Sequence, residues 1–320
     1  MQVLLQPWPS LEGTAPKATC AFATRGAQRL GFGDNFTYGA VMEDNRIDSS
    51  ASIFTRHGED GFEGMRRAGQ LAAACLDMLA REVRPGVVTE DLDRLAYEFI
   101  KDHGAHSATI GYRGYRHALC ISVNHVICHG IPSAKPLRDG DIANIDVTVV
   151  LDGWHGDTSR MFFVGEPKVK AKLLCDVTFE AMWKGIEQVR PGANLRDIGR
   201  AIQTHAEDAG FSVVRDFCGH GLGRVFHCPP NVVHYEQYKD RDGFTHRAPD
   251  VTLEQGMFFT IEPMINAGRP ESKMLRDGWT AVTRDRSLSA QFEHSLGVTA
   301  DGFEVFTHSP AGLDRPPYAA

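Results

Sequence analysis

The stretch Ile142 to Gly165, IANIDVTVVLDGWHGDTSRMFFVG, constrains the fold more than any other part of this chain. Two runs rich in β-branched and aromatic residues flank Asp152-Gly153, a pair that favours the tight turn of a β-hairpin. With a two-residue loop, Trp154 pairs with Leu151 and Asp157 with Thr148. Asp146 then shares a face with Asp157 as its diagonal neighbour. Two carboxylates on one face of a half-buried strand pair repel each other and resist desolvation, so they need a shared proton or cations. The competing reading is a solvated outer face, which stands until other residues join the pair.

Those residues come from a second copy. Helical spacing over Glu63 to Glu82 puts Met65, Ala68, Ala72, Cys75 and Leu79 on one face. VRPG at 83–86 ends that run, and a second helix follows with Thr89 as N-cap. Its inner face is Leu92, Leu95, Ala96, Phe99 and Ile100, and it stops near Gly104. VRPG returns at 189–192, an offset of 106 from 83, and Asp91, Arg94 and Gly104 recur at that offset as Asp197, Arg200 and Gly210. LRDGDIANID, ending at Asp146, aligns with LEQGMFFTIE, ending at Glu262. The larger offset places an insertion of roughly ten residues within 235–250. A duplication predicts two similar α/β halves facing each other across a pseudo-twofold axis. It also predicts that Glu262 points into the same seam as Asp146. Glu293, followed by Ser295 as Asp157 is by Ser159, is the partner of Asp157.

Four carboxylates in one cleft cannot all ionise without cations, and two divalent ions about 3.5–4 Å apart would neutralise them, as in dinuclear hydrolases. A neutral nitrogen ligand is offered by His220 in CGHGLGRVFH, where glycines leave the imidazole exposed at a loop tip. A plain glycine-rich turn is the alternative; a phosphate loop lacks its Gly-Lys-Ser/Thr. Oxygen-rich ligands with one imidazole suit Mn, Fe, Co or Zn. His129 in CHGIP and His227 in GRVFH are candidates for holding a substrate carbonyl or moving a proton.

Composition narrows the class. A net charge of −7 argues against a general nucleic-acid or membrane-surface binder. Seven scattered cysteines without a CxxC pair suit a reducing compartment and no thiolate zinc site. No apolar run approaches the roughly 18 residues of a membrane span. The basic, acid-free Lys17 to Leu30 faintly suggests a transit peptide, with a strap-like extension as the alternative. The expected location is the cytoplasm, with a mitochondrial or plastid matrix as the minor alternative.

Five ordered stretches, ISVNHVICHGIP, NIDVTVVLDGWHGDTSRMFFVG, CGHGLGRVFH, FTIEPMINAG and DGWTAVTRDRSLSAQFEHSLGVT, resemble the type I methionine aminopeptidases of peptidase family M24, over about 61–307. The resemblance implies a pita-bread (creatinase/aminopeptidase) α/β fold of two pseudo-symmetric halves around a dinuclear site. It implies metal ligands at Asp146, Asp157, His220, Glu262 and Glu293, with Asp157 and Glu293 bridging two divalent ions (Co, Mn, Fe or Zn). It implies substrate contacts at His129 and His227 and a methionine pocket of Tyr112, Tyr115, Cys120, Phe226 and Trp279. The implied reaction removes an N-terminal methionine ahead of a small residue by a metal-bridging hydroxide, with His129, His227 and Glu262 as the catalytic groups. The implied partner is the N-terminal peptide of nascent proteins, with the ribosome near the exit tunnel as a possible second one; no membrane and no specific nucleic acid are expected. Expected boundaries are a loosely structured extension over 1–58, a catalytic domain over 59–310 with pseudo-repeats at about 63–170 and 171–307, and a tail over 311–320. Thr109 stands where the family often has cysteine, and the first 58 residues lack the Cys/His spacing of a zinc finger. Two rivals stay open: a prolidase or aminopeptidase P acting beside proline, and a metal-free relative that only binds.

Overall fold

A computed structural model describes residues 54–318. The loosely structured extension expected over 1–58 lies almost wholly outside the described residues. At its end the chain is already packed: His57 donates its N–H to the Gly256 carbonyl at 2.8 Å and stacks on Phe258 at 4.5 Å.

The first helix, α1 (Glu59–Ala80), begins four residues before the expected start and buries Met65, Ala68, Ala72, Cys75 and Leu79 completely. Truncating one such leucine to alanine costs about 2–5 kcal/mol. Helix α2 (Thr89–Asp102) buries Leu92, Ala96 and Ile100 as its period requires. Thr89 is not its cap: the N-cap is Val88, without a side-chain bond. The Thr89 hydroxyl instead donates to the Ser133 carbonyl at 2.9 Å and accepts the Ser133 N–H at 2.8 Å, so a tertiary partner outcompetes the helix end. Helices α3 (Val169–Ile186) and α4 (Leu195–Asp208) follow the hairpin; Asn194 caps α4 in a capping box with Asp197.

The hairpin of Ile142–Leu151 and Trp154–Phe163 forms in the expected register, with Leu151 opposite Trp154 and Thr148 opposite Asp157. Asp152 and Gly153 both have positive φ (51° and 80°), as a type I′ turn demands. Leu119–Val123 and His106–Ser107 pair with the other edge of Ile142–Leu151. Helix α1 packs across this sheet so closely that a Cβ on Gly156 would lie 2.2 Å from the Ala68 carbonyl oxygen.

A five-stranded antiparallel sheet holds, in order, Phe303–Val305, His294–Val298, Phe258–Ile261, Gly219–Gly221 and Cys228–Val232. Beside it in sequence, Met264–Asn266 pairs with Ser289–Gln291 and Ser212–Val213. The matched segments repeat their backbone bonds as well as their letters. Gly86 N–H donates to Leu137 O at 2.8 Å, and Gly192 N–H to Leu253 O at 2.9 Å. Leu137 N–H returns to Val87 O, and Leu253 N–H to Ala193 O, each at 2.8 Å. Within 235–250 the chain forms an exposed hairpin of Gln237–Lys239 and Thr245–Arg247. One core lies between α1, α2 and the long hairpin; a larger one lies between α3, α4 and the strands of the second half. Residues 311–318 also pack on the body, for the Tyr318 hydroxyl donates to Met161 O at 2.8 Å and its ring meets Phe162 at 5.0 Å.

Candidate metal centre

The long hairpin sets the first two carboxylates. Asp146 sits in mid-strand between Cys120 on one neighbour and Ser159 on the other. Asp157 lies opposite Thr148, whose hydroxyl donates to its Oδ1 at 2.7 Å. From the second half, Glu293 reaches across: its N–H donates to Ser159 O at 3.0 Å in an isolated bridge. The seam is stitched twice more, by Thr158 Oγ1 donating to Glu293 O at 2.7 Å and Ser295 Oγ donating to Asp157 O at 2.6 Å.

His220 lies in the short strand Gly219–Gly221, not at an exposed loop tip; pairing on both sides holds it, and its side chain is only 12 % exposed. Its Nδ1 is 3.1 Å from the Gly221 carbonyl oxygen, which accepts only if Nδ1 carries the proton. Nε2 then presents a lone pair toward Asp157 Oδ2 at 3.5 Å and Glu262 Oε1 at 3.7 Å. A lone pair facing two carboxylate oxygens is repulsive unless a cation or proton stands among them. The donor set therefore fits a divalent ion, and one ligand atom each from Asp157, His220 and Glu293 lies within 4.8 Å of the others.

The electrostatics tell the same story. Burial first, then repulsion from Asp157 and Glu262, pushes Asp146 and Glu293 well above the carboxylate range. Glu262 is pushed up to about 7, chiefly by burial, against the pull of His220 and a Thr260 hydrogen bond. Burial opposes a charge on His220, yet Asp157 and Glu262 together outweigh it and raise its pKa. Divalent ions would replace these protons.

Residues that sequence reasoning passed over hold these groups in place. Thr260 Oγ1 accepts the His220 N–H at 3.0 Å and donates to Glu262 Oε1 at 2.8 Å. Gln291 Nε2 donates to Glu262 Oε2 at 3.3 Å, and His234 Nε2 accepts the Glu262 N–H at 3.1 Å. Burial lowers His234 to about 3, so it stays neutral and able to accept. Thr148, by register, and Thr260, two residues before Glu262, carried a findable signal; His234 and Gln291 carried none.

The expected substrate groups fall into two sets. Tyr112, Phe226 and His227 touch one another, with Tyr112–Phe226 at 5.2 Å and Phe226–His227 at 3.9 Å between ring centres, and His227 lies 4.1 Å from His220. His155, not foreseen, stacks on Phe226 at 5.6 Å. Tyr115 and Trp279 meet at 4.9 Å, Trp279 is 6.3 Å from His129, and Cys120 is buried opposite Asp146. His129 has a left-handed φ of 55°, a costly conformation for a non-glycine residue. Burial and, next among the lowering causes, His220 hold His129 down to about 4 and His227 to about 3, so both are neutral at pH 7. The Thr109 hydroxyl is committed to the His117 carbonyl at 2.7 Å.

The family model for metallopeptidase family M24 matches residues 63–300. The chain belongs to metallopeptidase family M24. It is 56% identical over 263 residues to a methionine aminopeptidase of Rickettsia prowazekii, covering 82% of this chain and 98% of that protein. It is 52% identical to the methionine aminopeptidase of Escherichia coli strain K12, over 78% of this chain and 91% of that one. The crystal structure of the Rickettsia prowazekii methionine aminopeptidase matches with a TM-score of 0.75 at 54% identity, covering 80% of this chain and all of that chain. M24 membership makes the chain a metal-dependent peptidase of the pita-bread fold, and divalent ions are the cations its acidic seam calls for.

Proposed function

We propose that this chain removes the N-terminal methionine from nascent or newly made proteins, favouring a small second residue. The observation that carries the reading is the meeting of Asp157, His220 and Glu293, with Glu262 beside them, in a chain so similar to proteins named methionine aminopeptidase. Asp146, Asp157, His220, Glu262 and Glu293 are the groups that would hold two divalent ions of cobalt, manganese, iron or zinc. Bound there, the ions supply an activated nucleophile near neutral pH and a positive face for the substrate's α-amine.

The protein's own groups do the rest. His227, neutral and partly open to solvent, donates to the developing oxyanion. His129 steadies the scissile amide nitrogen. Glu262, held by Thr260 and Gln291, passes a proton to the leaving amine. Tyr112, Tyr115, Cys120, Phe226 and Trp279 form the side-chain pocket, whose soft aromatic lining suits a thioether. The catalytic body spans 59–310, with halves at about 63–170 and 171–307, flanked by an extension and a short C-terminal segment. The partner is the N-terminal peptide as it leaves the ribosome, and the setting is the cytoplasm, with an organellar matrix as second choice. Among the described residues no helix is long and apolar enough to cross a membrane.

The test is chelation followed by cleavage of Met-Ala-Ser with Mn, Co or Fe restored. Activity should vanish and return. Activity indifferent to chelation would overturn the metal scheme, and faster cleavage of Xaa-Pro peptides than of Met-Ala peptides would transfer the chain to the proline-specific relatives.

A further inference from the structure

Glu293 turns its carboxylate to the cleft, and the next residue along the extended chain points the other way. That residue, His294, opens the strand His294–Val298 and is 2 % exposed. Its Nδ1 lies 2.9 Å from Thr307 Oγ1, an oxygen that also accepts the Ser295 N–H at 3.1 Å. Its Nε2 is shut off from solvent and has no hydrogen-bond partner. A buried ring nitrogen left in that state is costly, and a ligand that met it would remove the penalty.

Two more ligand-type groups come to the same place from the C-terminal segment. One donor atom each from His294, His308 and Asp314 lies within 4.8 Å of the others, and His308 Nδ1 is 3.6 Å from Asp314 Oδ2. In a tetrahedral zinc site with bonds of about 2.0–2.1 Å, ligand atoms sit roughly 3.3–3.5 Å apart. The remaining gap is small, and the groups that must close it are the less constrained ones: the side chains of His308 and Asp314 are 51% and 26% exposed, whereas Thr307 pins His294. Trp183 orients both rings, stacking on His308 at 5.4 Å and meeting His294 edge-on at 5.6 Å. The Ser309 N–H donates to Asp314 Oδ1 at 2.7 Å and leaves Oδ2 toward His308. The nearby cation, Arg160, opposes a positive charge at His294 less than Asp314 favours one, and Arg160 is itself engaged by Asp77 at 2.5 Å and the Leu313 carbonyl at 2.8 Å.

We propose that His294, His308 and Asp314 form a non-catalytic site for a zinc-type divalent ion, with water completing the coordination. Two imidazoles and one carboxylate select a borderline transition ion over calcium or magnesium. The ion fastens the C-terminal segment to the back of the strand that follows Glu293. It does not depend on which peptide the cleft accepts, nor on how many ions the cleft holds.

The experiment compares full-length protein with the His308→Ala and Asp314→Asn variants after equilibrium dialysis against Zn2+ buffered at micromolar free concentration, counting bound zinc per chain. Each variant should bind one ion fewer than the parent while keeping peptidase activity within about twofold. Equal zinc counts in all three would overturn the proposal. If either variant fails to fold, zinc-edge anomalous diffraction from crystals of the parent decides. A peak within bonding distance of His294 Nε2 supports the site; peaks in the cleft with none at His294 reject it.

Discussion

The two halves present their acids on different backbones. In the first half, Asp146 and Asp157 sit inside one unbroken hairpin, ten residues a side, with every register position filled. In the second, Glu262 and Glu293 occupy breaks. Phe258–Ile261 ends just before Glu262 and a new strand opens at Met264, after Pro263, which has no N–H to give a ladder. Ser289–Gln291 and His294–Val298 are likewise parted at Phe292 and Glu293. The ladder fixes the first pair, whereas the second pair relies on single bonds: His234 for the Glu262 N–H, Ser159 for the Glu293 N–H. One duplicated plan thus carries its acids by sheet regularity on one side and by individual side-chain and cross-seam bonds on the other.

The strongest way to break this contrast is to remove one acid from each half. Asp157→Ala and Glu293→Ala should each lower bound metal by at least one ion per chain and cut kcat/KM by at least about 10³-fold, roughly 4 kcal/mol of barrier. Elemental analysis and Met-Ala-Ser cleavage read both effects, and a variant that keeps its metal would show that its acid is not a ligand. Next come the hydroxyls. Thr260→Val strips a bond from Glu262 and leaves the His220 N–H unpaired, so it should cost about 1–3 kcal/mol and weaken metal binding about 10–100-fold. Thr148→Val removes one bond to Asp157 inside a regular ladder and should cost about 1 kcal/mol; equal penalties in urea unfolding would erase the distinction.

A smaller effect tests the turn that sets the first pair. Gly153→Val, at φ 80°, should destabilise the protein by about 1–2 kcal/mol without changing metal stoichiometry. The smallest prediction concerns a loop of the second half. Asp285 accepts N–H bonds from Arg269 at 2.7 Å and Ser287 at 2.9 Å, which hold its carboxyl down to about 2, below the ordinary 3.8. Its contribution is therefore complete above pH 3.8 and is lost as the pH falls toward 2, where the unfolded chain takes the proton first. The group is exposed, so the contribution is under about 1 kcal/mol. Asp285→Ala should flatten the stability profile between pH 4 and 2, and an unchanged slope would count against it.

Local rules carried the reading a long way. Asp152-Gly153 specified the hairpin register, and that register alone put Asp146 and Asp157 on one face. The recurring VRPG pointed to backbone bonds that do recur, through Leu137 and Leu253. What stayed hidden depends on distant partners. Thr89 looks like a cap until Ser133, 44 residues away, takes its hydroxyl. Nothing near His234 announces that it serves the Glu262 N–H, and His220 among glycines reads as a loop until strands flank it. The C-terminal segment reads as a tail because its anchors, Tyr318 on Met161 and Leu313 on Arg160, have no periodicity to betray them.

The hydroxyl stitches from Thr158 and Ser295 carry a consequence for motion. Each ties a hydroxyl close in sequence to one acid to the main-chain carbonyl of the other, Thr158 to Glu293 and Ser295 to Asp157, the very residues whose carboxylates meet. A clamshell movement of the two lobes would have to break both bonds and part Asp157 from Glu293, so the stitched seam ties the spacing of these two acids to the relative position of the lobes.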